Sequence, residues 1–186
     1  RDDLVPEKPL YYNKRDETWY LKISCKPILE FVKSAGITSR KSLTLELNDS
    51  VLQSKNFSHF IRGYFDGDGT IGIARNTNGR SKKNYYRPCM RIGSASRKVI
   101  EQIQNFLTTV YGLNKNNIAY EGNFYILKFI GEQARKFYDI IYSEPGLKLE
   151  RKYKRYTIIL SLDSAELGKY YGRGHDGMAE LDKLAL

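Results

Sequence analysis

Histidine and cysteine are scarce in this chain, with two of each among 186 residues. Cys25 and Cys89 are far apart and lack metal-ligand spacing, and His59 and His175 form no constellation with them. A zinc site and a Cys/His or Ser/His/Asp nucleophilic set are therefore not what the sequence is built around. Two thiols without a bridging pattern are expected to be reduced residues of the core or of strands. That suits an intracellular setting, the cytoplasm or an organelle matrix. No apolar run is long enough to span a bilayer and no signal peptide is visible, so no membrane partner is expected. Acid is also in deficit, with 21 Asp and Glu against 31 Lys and Arg and a net charge of +10.

Tyrosine, in contrast, is abundant at 15 residues. Basic side chains interleaved with aromatics suit a nucleic-acid surface. At this length one compact domain or two small ones are expected, with a sizeable core.

The most informative stretch is 58–72, SHFIRGYFDGDGTIG. Phe60, Ile61, Tyr64 and Phe65 recur at helical spacing, Ser58 is a candidate N-cap, and Gly67 and Gly69 allow a sharp exit. Gly63 and Gly67 are four apart and stack on one helix face. Glycine inside a helix costs about 1 kcal/mol relative to alanine, so two on one face point to close approach of another backbone. Asp68 falls at the helix C-terminus, where the dipole disfavours a carboxylate. A hard, oxygen-bound cation such as Mg²⁺ would compensate it. An EF-hand loop is a poor alternative. With Asp66 at its first position, Ile71 stands where glycine is needed and Thr77 where glutamate is needed. An ordinary helix-to-strand turn leaves the paired glycines without a role.

Taken in order, 10–24 reads as a hairpin in which Trp19, Leu21 and Ile23 form a core side and Tyr20, Lys22 and Ser24 the other. A short helix follows over 27–35, then Arg40 and Lys41. After the motif helix come a strand over 70–77, a basic polar tip with Arg80, Lys82 and Lys83, and a return strand over 85–93. On that strand Tyr86, Met90 and Ile92 oppose Tyr85, Arg87, Cys89 and Arg91. A strongly amphipathic helix spans 97–111. A second hairpin spans 117–130, and a helix covers 132–142. The stretch 147–160 is very basic, carrying Lys148, Arg151, Lys152, Lys154 and Arg155. The tail is helical at most in part, with 170–177 flexible and a short helix at the end.

Residues 61–69, IRGYFDGDG, resemble the signature of the LAGLIDADG homing endonucleases. Gly63, Asp66, Asp68 and Gly69 hold its core pattern, and the stretch departs from it at Arg62, Tyr64, Phe65 and Gly67. The resemblance covers about 10–160 and implies an α+β fold. In it an α-β-β-α-β-β-α unit builds a curved antiparallel sheet that saddles double-stranded DNA. Trp19 to Ile23 resembles Tyr125 to Phe129, and Arg40-Lys41 mirrors Arg151-Lys152. The chain thus divides into the end of a first repeat (1–57), a complete repeat (58–160) and a tail (161–186). A second copy or an N-terminal fragment would supply the other motif helix.

The implied activity is site-specific, divalent-metal-dependent hydrolysis of DNA phosphodiesters. Asp68 is the metal-binding acid and the Gly67 carbonyl a second ligand. Mg²⁺, or Mn²⁺ or Ca²⁺ in its place, is the implied cofactor. Gly63, Asp66 and Gly69 are assigned to motif-helix packing. Lys152, with Lys148 as runner-up, is the implied basic residue of the site, and Lys41 its first-repeat counterpart. Candidates for reading or holding DNA are Tyr20, Lys22, Arg75, Arg80, Lys82, Lys83, Arg87, Arg91, Lys128, Arg151, Lys154 and Arg155. Two alternatives stay open: a DNA-binding or intron RNA maturase module of the same fold that does not cleave, and an interaction fragment of a larger machine.

Overall fold

The computed structural model describes residues 7–37, 43–172 and 180. Arg40 and Lys41, most of the 170–177 stretch and the expected terminal helix lie outside these residues.

A short hairpin of β1 (Tyr11–Asn13) and β2 (Thr18–Tyr20) opens the chain, followed by α1 (Lys26–Ser34) and the single turn α2 (Asp49–Leu52). Then come the motif helix α3 (Phe57–Asp68), β3 (Thr70–Thr77), β4 (Asn84–Ser94), α4 (Arg97–Tyr111), β5 (Ile118–Glu121), β6 (Phe124–Ile130) and α5 (Glu132–Tyr142). Two helices close the described chain, α6 (Glu150–Ser161) and α7 (Ser164–Tyr170). From α3 to α5 the order is α-β-β-α-β-β-α, as expected.

β3 to β6 form one antiparallel sheet in the order β3-β4-β6-β5. The register places Ile71 opposite Met90 and Met90 opposite Phe129, with Ile92 opposite Leu127. These residues are buried and form the helix-bearing face of the sheet. Strand alternation puts Thr70, Gly72 and Ala74 of β3 on the other face, opposite Arg91, Cys89 and Arg87 of β4. Lys128, Ile130 and Ile126 of β6 continue that open face.

The helices close over the first face through their apolar stripes. Val99, Ile100, Ile103 and Leu107 of α4 are fully buried, as their spacing requires. Phe65 of α3 meets Phe137 of α5 edge to face at 5.7 Å, and Phe137 stacks on Phe129 of the sheet at 4.4 Å. Tyr156 and Ile159 of α6 complete the layer. The basic composition of 147–160 hides this helix in the sequence, because its apolar residues are a minority confined to one side. Asp163 and Glu166 form a capping box that starts α7, and Gly168 of α7 packs on Tyr86.

Three local expectations are corrected. The motif helix begins at Phe57 with Asn56 as N-cap, and Ser58 is buried in its first turn rather than capping it. Trp19 is 66% exposed, and Leu21 and Ile23 are half-buried outside any strand, so the 10–24 hairpin has no core side. β2 stops at Tyr20 because among the described residues it pairs with β1 alone. A strand paired on one side, with no sheet beneath it, has nothing to bury its face against. Helix α1 likewise buries none of its residues.

Candidate active site and nucleic-acid interface

The motif helix is held to the rest of the molecule at its C-terminal half by the α5–α6 connection. Asp66 accepts a hydrogen bond from the Tyr142 hydroxyl at 2.5 Å through Oδ1 and one from the Leu149 backbone N–H at 2.9 Å through Oδ2. Leu149 is the N-cap residue of α6, so the carboxylate serves an N–H left free at a helix start. One turn into α6, Lys152 reaches back. Its Nζ donates to the Phe65 carbonyl at 2.8 Å and the Gly69 carbonyl at 2.5 Å. Those two oxygens end the motif helix, where the dipole is negative and a cation is favourable. Arg62, buried, donates to the Glu144 carbonyl at 2.7 Å and to His59 Nδ1 at 2.5 Å. Helix end and helix start are thus clamped together by one anion and two cations.

Three of the expected site residues make contacts within the chain itself. Asp66 braces α6 rather than a second motif helix. Gly69 is required by its own helix, since a Cβ there would lie 2.2 Å from the Phe65 ring. Lys152 is 7% exposed, and its ammonium is held on two carbonyls at the helix end. Burial pushes its pKa down, assisted by the neighbouring Arg151, while Asp66 and Asp68 oppose that shift. Lys148 lies 3.5 Å above the Tyr153 ring and 4.0 Å from Glu150, on the α6 side.

Asp68 is placed otherwise. It is exposed at the last position of α3, and no hydrogen bond or ion pair to it is found among the described residues. It borders a hollow of about 480 Å³ together with Tyr64, Thr70, Arg91, Gly93, Ser94, Phe124 and Ile126. The hollow opens on the face of the sheet away from the helices. Burial raises the pKa of Tyr64, and the charge of Asp68 adds to the rise.

Among the described residues no backbone makes the close approach that the spacing of Gly63 and Gly67 suggested. Both are exposed, and a Cβ added to either would meet nothing within 4 Å. The glycine face of α3 is therefore uncovered by any described residue.

The remaining basic candidates separate into groups. Arg91 and Arg87 are on the open face. Arg87 donates to Asn76 at 3.3 Å, and its guanidinium lies 5.2 Å over the Tyr85 ring. Lys128 shares that face and is ion-paired with Glu121. Arg80, Lys82 and Lys83 are exposed at the β3–β4 tip. Arg75 is on the opposite, helix-bearing face, where it lies 5.6 Å over the Tyr171 ring. Arg151 and Lys154 are exposed on α6 and Arg155 is half-buried there. Tyr20 and Lys22 sit in the N-terminal hairpin region, apart from the four-stranded sheet. The clamp by Arg62 and Asp66 was not anticipated. Its trace in the sequence is Arg62 and Asp66, charged residues four apart within the motif helix.

Among the described residues no helix is long and apolar enough to cross a membrane, and both cysteines are free thiols. No curated protein matches the chain in sequence. Solved structures similar to it include two endonucleases. One is the I-LtrWI LAGLIDADG homing endonuclease bound to target DNA, at a TM-score of 0.42 and 11% identity, covering 72% of this chain and 43% of that one. The other is the LAGLIDADG meganuclease I-CpaMI bound to uncleaved DNA, at a TM-score of 0.40 and 16% identity, covering 83% of this chain and 58% of that one. The chain thus spans about half the length of each. Residues 58–142, from the motif helix through the sheet to the end of α5, match the family model of the LAGLIDADG-like domain.

Proposed function

We propose that the chain forms one half of a site-specific, divalent-metal-dependent DNA endonuclease, with Asp68 as its metal-binding acid. The observation that carries this reading is the placement of Asp68. It is an exposed carboxylate at a helix C-terminus, without an ion pair among the described residues, at the mouth of a hollow on an open sheet face. A carboxylate in that position is disfavoured by the helix dipole unless a cation joins it.

The donor set fits a hard ion. The Asp68 carboxylate and the Gly67 carbonyl are oxygen donors suited to Mg²⁺, Mn²⁺ or Ca²⁺. No group of three or more His, Cys, Asp or Glu able to hold a metal exists among the described residues. Other ligands would come from water, the scissile phosphate and an acid of a second motif helix. Such an ion, when bound, lowers the pKa of an attacking water and stabilises the leaving oxygen. This chain's own residues do the positioning: Lys152 and Asp66 hold the end of α3 in place, and Arg91 and Thr70 border the approach to Asp68.

The uncovered Gly63–Gly67 face supports docking of a second motif helix, from another copy or an N-terminal fragment. The exposed Trp19 and the unburied α1 support reading 1–57 as the end of a first repeat whose sheet is incomplete here. On that division 58–160 is the complete repeat and 161–186 a tail that contributes α7 to the sheet.

The test is to select bound duplexes from a random pool without divalent metal, then add Mg²⁺ beside an Asp68→Asn control. Cuts that vanish in D68N support the reading, and cuts unchanged in D68N would falsify it. A second reading, a DNA- or RNA-binding module that does not cleave, is favoured by one observation. Asp66 is committed to Tyr142 and Leu149, leaving Asp68 as the one acid of the motif open to a metal in this half. Selective binding without any cut would support it.

A further inference from the structure

The open face of the sheet is less cationic than its composition suggests. Lys128 is neutralised by Glu121, Arg87 is held by Asn76 and Tyr85, and Arg75 belongs to the other face. Beside Asp68 the face is largely apolar. Ile126 pairs with Gly93 and Ile130 with Cys89, and Phe124 begins the same strand, 53% exposed. Phe124 and Ile126 line the hollow that Asp68 and Arg91 border. Phe124 is exposed and both isoleucines are half-buried, while Cys89 beside Ile130 is covered, so the strip is most open at its Phe124 end.

An apolar strip on a face rimmed by Arg91 and the basic tip fits a polyanion that carries its own apolar groups. The major groove of duplex DNA is such a surface, because the 5-methyl of each thymine projects into it. We infer that this face reads thymine methyl groups next to the cut, with Phe124, Ile126 and Ile130 making the apolar contacts. Among the described residues, Arg91 is then the cation on the strip without a hydrogen bond or ion pair, available to contact a guanine. The inference rests on the DNA-binding reading and adds the composition of the target. It also adds a preference for DNA over RNA. Uracil lacks the methyl, and the A-form major groove is too narrow for side chains to enter.

The experiment uses the whole chain and a duplex selected from a random pool in the absence of divalent metal. Each thymine is replaced in turn by deoxyuridine, which pairs identically and deletes one methyl. Losses of about fourfold per contacted thymine, the worth of one buried methyl, are expected at two or more positions. In the I126T variant one of those losses should disappear while the others remain. Penalties that stay unchanged in I126T and I130T overturn the residue assignment. A tightly bound duplex that tolerates deoxyuridine at every thymine, within about 1.5-fold, overturns methyl readout and leaves DNA binding standing. Failure to enrich any duplex, or enrichment of RNA over duplex, overturns both.

Discussion

Asp68 stands where a helix least favours a carboxylate, and its neighbours Asp66 and Lys152 show that the position is maintained by design of the surrounding contacts. D68N keeps the size of the side chain and removes its charge. Cleavage in Mg²⁺ is expected to fall by more than about a hundredfold, beyond the usual effect of losing an outer-shell group. Binding without metal should be unchanged, as read by gel shift. Lys152→Met removes the donor to the Gly69 carbonyl and one of the two donors to the Phe65 carbonyl, which keeps the Gly69 N–H, and is expected to destabilise the fold by roughly 1–3 kcal/mol in urea denaturation. The titration has a definite sign. The folded-state pKa of Lys152 lies below its ordinary 10.5 because burial disfavours the charged form. Between the two values the unfolded chain binds more protons, so this residue makes stability rise with pH there. Unfolding measured as pH rises toward 10.5 should show that upward component in the parent and lack it in K152M. The acid at 68 and the glycines at 63 and 67 were legible in the sequence from helical spacing and dipole arguments. The role of Lys152 was not, because which atoms an ammonium reaches depends on how α6 packs against α3.

The motif helix has two sides with opposite demands. Its buried side, through Phe65 and Arg62, is committed to α5 and the α5–α6 connection. Its glycine side faces nothing described. Gly63→Ala in this chain alone is therefore expected to stabilise it by about 0.5–1 kcal/mol, the helix-propensity difference. If a second motif helix docks there, the same substitution should abolish assembly, because the added methyl occupies the space a backbone needs. Thermal denaturation and sedimentation of the same variant read the two effects separately. A double-mutant cycle of Asp66→Asn with K152M tests the clamp between α3 and α6. The two groups hold the same pair of helix ends, so a coupling of at least about 0.5 kcal/mol is expected. Strands and helices with a clean period, β3, β4, α4 and α5, were legible because alternation or a stripe records which face meets the core. α6 was not, because its Tyr156 and Ile159 are outnumbered by charges on the solvent side.

Across the molecule the net charge of +10 sets the long-range behaviour. If duplex DNA lies on the open face, log affinity should fall linearly with log salt at a slope of about −0.9 per phosphate contact. Lys82→Ala and Lys83→Ala, at the β3–β4 tip, should each flatten that slope by about 1 without changing the preferred sequence. Arg91→Ala should instead relax one position of the target, at a cost of about 1–3 kcal/mol.

The order of elements from α3 to α5, the burial of α4 and the acid at the helix end are dictated locally. Periodicity and capping act within a few residues, so they can be read along the chain. Which face of the sheet stays open, where the cations go on it, and which carbonyls Lys152 reaches are set by contacts between residues 7 to 96 positions apart. Lys128 and Arg75 look alike in sequence. One is silenced by Glu121 across a hairpin and the other turned to Tyr171 beneath the sheet, and pairings of that kind exist only once the strands and helices have docked.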